Sequence, residues 1–471
     1  MPNGANPQAI VEERLAAFTK ETGLPAKVVV LDWGSAWNKI DEGLKTGKGP
    51  DVVQLGTTWV SYFASQGYLA SLDGHAQELK FDRFLGTSRK TTKIDGSDTT
   101  WAVPWFMDVR VLLANQRILD SLKITAAEVA TWDGYRKALR KIRDAKLLKE
   151  GVTPIHAYGF PGKSDWNIPH NFAPWVWSEG GDFVKKGADG KWSSALMDKA
   201  TVQGIYRYIS FVKDSLVNPK ALSQNTSDIS KLFSVGELVF ILGTSELVTQ
   251  VRISTDSGGM RSSAIGKAGI RVIPVPAGPS GSVAFVGGSD LALPKAKAKD
   301  ANALKLLQFL TRSDNLDIYT RKIGFIPADQ TVLQDWAKDS SYKVIVEAAA
   351  KGKAYPGIPQ WGGIEQQLSS LFANVWGMLG EGGYYSDEEL YKALVQYDAR
   401  IDSSLGAKSQ PMSLDSFKVV VGQIKESSGE AKVEGAASEN SAGGVPWAVV
   451  AVAGVIVLAG VGFALSRRKS A

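Results

Sequence analysis

The chain has 471 residues, of which 44% are hydrophobic and 22% are charged. So long a chain rarely forms one hydrophobic core, and we expect two lobes or domains. The absence of cysteine excludes disulfides, thiolate metal sites and cysteine nucleophiles. The three histidines, His75, His156 and His170, are not spaced as a metal pair, so no metal or cofactor is expected. The net charge of +6 is spread along the chain without a dense basic block, which argues against a nucleic-acid partner.

The N-terminal part predicts alternating helices and strands. Residues 7–22 carry apolar side chains on one helical face, and residues 26–31 (AKVVVL) form a β-branched run that is typical of a strand. A helix over 35–47, a strand over 51–55 and a helix over 57–65 follow. This alternation predicts parallel βαβ units and therefore an α/β fold.

The middle of the chain is more helical. Periodicity predicts helices over 132–147, 201–216, 301–310 and 387–405, and short strands over 237–242 and 269–274.

The C-terminal segment predicts a membrane anchor. Residues 445–465 are 21 residues without a charge, long enough to cross a hydrocarbon core of roughly 30 Å. Arg467, Arg468 and Lys469 follow at once, which places the tail over 466–471 in the cytoplasm. The alternative is a buried core helix. Residues 407–444 are expected to be a flexible stalk, because 426–444 are rich in Gly, Ser, Ala and Glu and poor in large apolar residues.

Four stretches carry a resemblance to a known family. The run GPDVVQLGTTWVSYFASQGYLASLD, residues 49–73, resembles the first-lobe signature of family 1 extracellular solute-binding proteins of the maltose-binding type. WAVPWFMDVRVLLANQRIL (101–119), AFVGGSDLALPKAKAKDANALKLLQFLT (284–311) and GFIPADQTVL (324–333) resemble further family stretches and occur in the expected order. The resemblance covers about residues 1–406.

The resemblance implies a two-lobe, periplasmic-binding-protein-like fold of type II, with chain crossings at a hinge. Lobe one would hold 1–112 and 272–315, and lobe two 113–271 and 316–406. The crossings would lie near Val111, Ile270 and Asn315. The implied function is capture of a sugar between the lobes by a monomer that delivers it to the permease subunits of an ABC importer, with the lobes outside the cell.

A sugar site needs aromatic plates for the C–H faces and polar groups for the hydroxyls. In lobe one, Thr57, Thr58 and Trp59 follow a strand end, where ligands of α/β sheets gather; the alternative is a helix cap with a buried tryptophan. Trp33 and Trp37 could form a facing wall, although Trp37 also fits the core face of a helix.

The hinge region supplies a second group of candidates. Trp105, Phe106 and Asp108 precede the first crossing, where the alternative for Asp108 is an ion pair with Arg110. Gly287, Gly288 and Ser289 resemble the sugar-lining glycine turn of the family, and glycine lets backbone approach a ligand closely. The alternative is a plain turn at a strand end.

Lobe two supplies the remaining candidates. Trp166 and Asn167, near His170, lie in a polar and aromatic loop, and Thr244 ends a strand. Trp361 lies in YPGIPQWGGIE and resembles the second-lobe aromatic residue of the family.

Two other function classes stay open, a surface glycoside hydrolase or lyase and a sensor ectodomain. The sequence GFPGKS contains G-K-S without the spacing of a phosphate-binding loop, and no G-x-S-x-G motif of a hydrolase occurs. A cytoplasmic tail of six residues argues against direct signalling.

The beginning of the sequence also carries an expectation. Met1 opens onto a turn rich in Pro, Gly and Asn, without a basic and apolar export signal. Since a βαβ unit begins with a strand, we expect a first strand and a signal segment upstream of Met1.

Overall fold

The computed structural model describes residues 1, 6–162 and 165–428. The helices are α1 (Pro7–Thr22), α2 (Trp33–Lys45), α3 (Val60–Ser65), α4 (Ala76–Leu79), α5 (Gly86–Thr91), α6 (Gln116–Ser121), α7 (Trp132–Asp144), α8 (Ile168–Glu179), α9 (Lys199–Lys213), α10 (Thr226–Ser234), α11 (Ser245–Gln250), α12 (Ala264–Ala268), α13 (Ala301–Thr311), α14 (Ser313–Ile323), α15 (Gln330–Trp336), α16 (Ser340–Lys351), α17 (Trp361–Leu379), α18 (Asp387–Leu405) and α19 (Leu414–Ser428). The strands are β1 (Val53–Gly56), β2 (Val103–Val109), β3 (Val111–Asn115), β4 (Leu148–Lys149), β5 (Thr153–Pro154), β6 (His156–Gly159), β7 (Val184–Lys186), β8 (Trp192–Ser194), β9 (Leu238–Gly243), β10 (Ile270–Ile273), β11 (Val286–Ala292) and β12 (Ile326–Pro327).

Two four-stranded sheets organise the lobes. Lobe one has the order β1-β11-β2-β12, and lobe two has the order β10-β3-β9-β6. Strands β2 and β3 are consecutive but belong to different sheets, so Arg110 between them is where the chain first crosses. Helices pack against both sheets, which makes each lobe an α/β unit.

The other two crossings differ from the sequence expectation. Val272 and Ile273 pair with β3 in lobe two, so the second crossing lies between β10 and β11 rather than before residue 272. The third crossing is displaced further. β12 pairs with β2, and α14 and α15 pack on β12, so these elements belong to lobe one although residues after 315 were expected in lobe two. The chain returns to lobe two with α17, α18 and α19, which pack on α8, β8 and α9 respectively.

The prediction of parallel βαβ pairing is wrong for most of the described pairs. Only β6 and β9 pair in parallel in the two large sheets, and the other five pairs are antiparallel. The predicted strand over 26–31 is extended but has no ladder partner among the described residues, and Val29 and Val30 are 67% and 41% exposed. A β-branched run favours extended backbone, but a strand forms only where a second segment supplies hydrogen bonds.

Part of the predicted stalk is a folded helix. In α19 the side chains of Phe417, Val420, Val421 and Ile424 are buried, because they recur on one face and pack against α9 and α18. The stalk prediction is therefore wrong for residues 414–428. The rest of the predicted stalk from 429, the predicted span over 445–465 and the tail over 466–471 lie outside the described residues. Within the described part of the chain, no helix is both long and apolar enough to cross a bilayer.

The docking of α19 can be tested with two variants on one helix. Phe417 is fully buried and its ring meets Tyr391 with centroids 5.4 Å apart. Phe417→Ala should lower the free energy of unfolding by about 3–5 kcal/mol, because it leaves a cavity. Val419→Ala, at a position 62% exposed, should change it by less than about 0.5 kcal/mol. Urea denaturation followed by circular dichroism measures both, and equal effects would show that α19 does not dock.

Candidate functional site

A cleft of about 1090 Å³ lies between the lobes. Its walls come from the ends of β1, β2 and β9, from the beginning of β11, and from the first turns of α2, α8 and α17. The lobe-one loop after β1 and the lobe-two loop before α8 therefore face each other across the space where a ligand would sit.

Aromatic side chains form the lobe-one wall of the cleft. Asp32 begins α2 by accepting a hydrogen bond from the backbone of Gly34 at 2.9 Å, which fixes Trp33 and Trp37 one helical turn apart. Trp59 lies between them, with ring centroids 5.6 Å from Trp33 and 5.2 Å from Trp37. Trp33 keeps 37% of its surface exposed, so this aromatic wall has a face open to a ligand.

The predicted glycine turn is instead part of β11, where Gly287 and Gly288 pair with β2 and bring backbone to the cleft. Gly288 has a φ of 131°, and a Cβ there would lie 2.1 Å from the carbonyl oxygen of Phe106. No side chain fits at this position. The carbonyl of Gly288 accepts a hydrogen bond from the backbone of Thr57 at 3.2 Å. The hydroxyl of Ser289 accepts one from Gln54 at 2.9 Å.

The hinge places a charged pair in the cleft. Nη2 of Arg110 lies 2.7 Å from Oδ2 of Asp108, and both residues line the cleft. The ion pair expected as the alternative is thus present, but it uses one carboxylate oxygen. Oδ1 of Asp108 is buried and accepts no hydrogen bond from the described residues. The guanidinium of Arg110 also lies 5.9 Å from the ring centroid of Trp166.

The lobe-two wall combines an exposed ring with buried amides. Trp166 is 63% exposed, whereas Asn167 and Asn171 are each 2% exposed. The amide nitrogens of the two asparagines donate to Thr226 and to the Asn167 carbonyl. Their Oδ1 atoms accept nothing from the described part of the chain. Thr244 also lines this wall, where it caps α11 by accepting from the backbone of Glu246 at 3.3 Å.

A buried histidine and glutamate lie behind this wall. Nε2 of His170 is 3.4 Å from a carboxylate oxygen of Glu365, and Nδ1 is 3.0 Å from the hydroxyl of Tyr355. Burial lowers the pKa of His170 well below its ordinary value, and the charge of Arg110 acts in the same direction. The imidazole is therefore neutral at physiological pH.

Two glutamates of lobe two titrate near neutrality. Burial raises the pKa of Glu365 to about 7, against a hydrogen bond from Thr58 that lowers it. Burial also raises the pKa of Glu246 to about 7; the charge of Asp108 adds to this and that of Arg110 opposes it. No group of three or more metal-ligating side chains occurs among the described residues.

Two of the proposed ligand residues do not line the cleft. Trp105 stacks on Tyr319 in the core of lobe one, with ring centroids 4.2 Å apart. Trp361 is fully buried and stacks on Tyr355 at 4.4 Å. Each of these rings packs against other aromatic rings in the core of its lobe. Neither residue is therefore part of the proposed site. The structure brings the other thirteen together around the cleft: Trp33, Trp37, Thr57, Thr58, Trp59, Phe106, Asp108, Trp166, Asn167, Thr244, Gly287, Gly288 and Ser289.

Sequence reasoning missed several cleft residues. Tyr62 lies one turn after the predicted Thr58, and Asn171 one turn after Asn167, so helical periodicity could have found both. Glu365 lies one turn after Trp361, within the stretch already chosen for its tryptophan. Glu246 follows Thr244 by two residues, and no pattern in the sequence sets it apart from other helix-start glutamates.

Comparison with known proteins settles the family. Residues 13–387 match the sequence model of the bacterial extracellular solute-binding proteins. The chain belongs to this family. Its members are solute-binding proteins rather than enzymes, and the family as described is extracellular.

Relatives and solved structures agree with this assignment. The diacetylchitobiose binding protein DasA of Streptomyces coelicolor is 26% identical over 375 residues, which are 78% of this chain and 81% of DasA. The GacH receptor of Streptomyces glaucescens, studied free and in complex with acarbose, is 22% identical with a TM-score of 0.68 over 85% of this chain and 96% of that one. Maltose-bound MalE3 of T. maritima is 19% identical with a TM-score of 0.71 over 85% and 97%. These similarities confirm the two-lobe, periplasmic-binding-protein-like α/β fold of this binding protein.

The raised pKa of Glu365 predicts a pH-dependent stability. The carboxyl binds its proton more tightly in the folded state than in the unfolded state, where its pKa is about 4.5. Stability is therefore lost as the pH rises from about 4.5 to 7, by on the order of 2–3 kcal/mol for this group. Glu365→Gln should remove that loss, so the variant gains on wild type across this window. Urea titrations at several pH values measure it. The free energy of unfolding of Glu381→Gln, changed at an exposed loop position, should depend on pH as that of wild type does. The same pH dependence for Glu365→Gln would contradict the burial of this carboxyl.

Proposed function

We propose that this binding protein captures a sugar in the cleft between its lobes and delivers it to an ABC importer. One observation carries the proposal. An aromatic wall in lobe one lines the same cavity as Asp108, Asn167 and Asn171, whose Oδ1 atoms accept no hydrogen bond from the described residues. Pyranose rings offer apolar C–H faces to the aromatic wall and hydroxyl donors to the oxygens, so one ligand satisfies both sides.

The fixed orientation of these polar side chains supports a polar ligand. One carboxylate oxygen of Asp108 binds Arg110, and the amide nitrogens of Asn167 and Asn171 donate to Thr226 and to the Asn167 carbonyl. A sugar hydroxyl that donates to a remaining Oδ1 atom makes a hydrogen bond worth about 0.5–1.5 kcal/mol, and more where the acceptor is charged. The ligands named for the similar proteins, diacetylchitobiose, acarbose and maltose, are carbohydrates or carbohydrate-like compounds and support the same ligand class.

The two lobes already contact each other at a few points. The side chain of Thr58 in lobe one lies close enough to the carboxyl of Glu365 in lobe two to lower its pKa. The hydroxyl of Ser61 donates to the carbonyl of Ile358 at 3.0 Å. A sugar that bridges both walls adds contacts available only when the lobes are close, and so favours the closed form by its differential affinity. We propose that the closed monomer docks on the permease subunits.

No observation favours the rival functions. A hydrolase or lyase is disfavoured because the family consists of binding proteins. A sensor ectodomain shares the binding cleft but would need a signalling partner, for which the described residues offer no evidence.

A sugar panel and one cleft variant test the proposal. The purified full-length chain, screened by thermal shift against mono- and disaccharides, should melt at a higher temperature with at least one of them, because a ligand that binds only the folded state stabilises it. Trp166→Ala should weaken that sugar's binding by about 1–2 kcal/mol in calorimetry, through the loss of a stacking face. Trp166 is 63% exposed, so the folded state should survive. Tyr384→Ala, a 74% exposed aromatic away from the cleft, should bind like wild type. If no sugar shifts the melting temperature, or if both variants bind alike, the proposal fails.

We further propose that residues 445–465 anchor the protein at the cell surface, with the lobes outside. The support is the uncharged length of this run and the basic residues that follow it. Protease added to intact cells should release a soluble fragment that still binds the sugar and ends within 429–444. Retention of the whole chain by intact cells under conditions that cleave an exposed control protein would contradict this topology.

A further inference from the structure

The balance of charge in the cleft points to a narrower class of sugar. Of the described residues that line it, Asp108, Glu246 and Glu365 are acidic, and Arg110 carries the permanent positive charge. His170 is held neutral by burial, as described above. With all three carboxyls ionised, this lining has two more negative charges than positive ones.

The one described guanidinium of this lining is already engaged. Arg110 contacts Oδ2 of Asp108 and leaves Oδ1 of the same carboxylate without a donor. The groups that face Glu246 are Asp108 and Arg110, and those that face Glu365 are His170, Thr58 and, through the imidazole, Tyr355. Among these groups neither glutamate has an ion-pair partner of its own. Burial therefore raises the pKa of each carboxyl to about 7, so that each is about half protonated at neutral pH.

A second observation points to a donor-rich ligand. Asn167 and Asn171 are 98% buried, line the cleft, and have amide oxygens that accept no hydrogen bond within the described chain. With Asp108 they make three lining residues whose Oδ1 atoms accept no hydrogen bond within the described chain, and the two glutamates line the same cavity. An ammonium group supplies up to three donors and a positive charge, whereas a hydroxyl supplies one donor and no charge.

We propose that the cleft prefers an amino sugar with a free, protonated amine over neutral sugars of the same shape. This inference rests on the proposed sugar-binding function and names its substrate class. The ammonium pairs with the carboxylates of lobe two while the ring stacks on the aromatic wall of lobe one.

Three matched disaccharides test the preference. The β-1,4-linked disaccharides of glucosamine, N-acetylglucosamine and glucose share their rings and linkage. They differ in the substituent at carbon 2, which is a free amine, an acetylated amine or a hydroxyl. Calorimetry on the full-length chain at about pH 7 should show the glucosamine disaccharide binding about tenfold or more tightly than the other two, which corresponds to a charged hydrogen bond. Equal or tighter binding of either neutral disaccharide overturns the inference and leaves sugar binding intact. Binding of none of the three overturns the inference too, and the wider panel then decides the proposed function.

Variants locate the effect. Glu246→Gln and Glu365→Gln keep the shape of each side chain and remove its charge. In at least one of these variants, the affinity for the glucosamine disaccharide should fall toward that for the two neutral disaccharides. Glu381→Gln, exposed and outside the cleft, should retain the preference. Circular dichroism melts establish that each variant is folded.

Proton release gives a second test. At about pH 6 both glutamates hold their protons in the ligand-free protein, so binding of the ammonium should release protons. The release is detected as a difference in binding heat between two buffers of unequal ionisation enthalpy. A preference that both glutamine variants retain, or an absence of proton release, would contradict the ion pairing.

Discussion

The first crossing of the chain between the lobes, at Arg110, determines the geometry of both the hinge and the cleft. Strands β2 and β3 are separated by this one residue, yet they belong to the sheets of different lobes. Its backbone donates to the carbonyl of Phe285 at 3.0 Å, which ties it to the segment that runs back into lobe one. Its guanidinium holds Asp108 and reaches toward Trp166. The hinge and the floor of the cleft are therefore built from the same side chains.

This arrangement explains why the binding site is polar at its centre and aromatic at one wall. Strand ends and helix starts converge near the hinge and bring Asp108, Asn167 and Asn171 to the cleft. Each carries an oxygen that accepts no hydrogen bond from the described residues. The same groups are already oriented for a ligand, because their other atoms are fixed by hydrogen bonds.

Local signals made several elements predictable. The helix expected over 387–405 has those bounds in α18, where Ser386 caps the first turn. The position of Trp59 at the cleft followed from its place just after the end of β1. The sequence did not reveal the features that depend on contacts between segments far apart in the chain. Parallel pairing was predicted from alternation, but strand direction is decided by which segment lies alongside.

The placement of Trp361 illustrates the same limit. Its neighbours Gly362 and Glu365 line the cleft, whereas its own ring is buried and stacks on Tyr355. Helical periodicity shows which residues share one face of a helix, but not which part of the protein that face contacts. In α19 the signal was available, since Phe417, Val420, Val421 and Ile424 share a helical face. The low hydrophobicity of the residues that follow obscured it, because the whole segment was treated as one stalk.

The most direct test of the account is a crystal structure of the protein with its bound sugar. We predict a pyranose ring against Trp33 or Trp59, with hydroxyl or amine groups within hydrogen-bond distance of Oδ1 of Asp108 and of the Asn167 amide oxygen. A sugar bound outside the cleft, or one in the cleft that leaves these oxygens unpaired and these rings uncovered, would contradict the account.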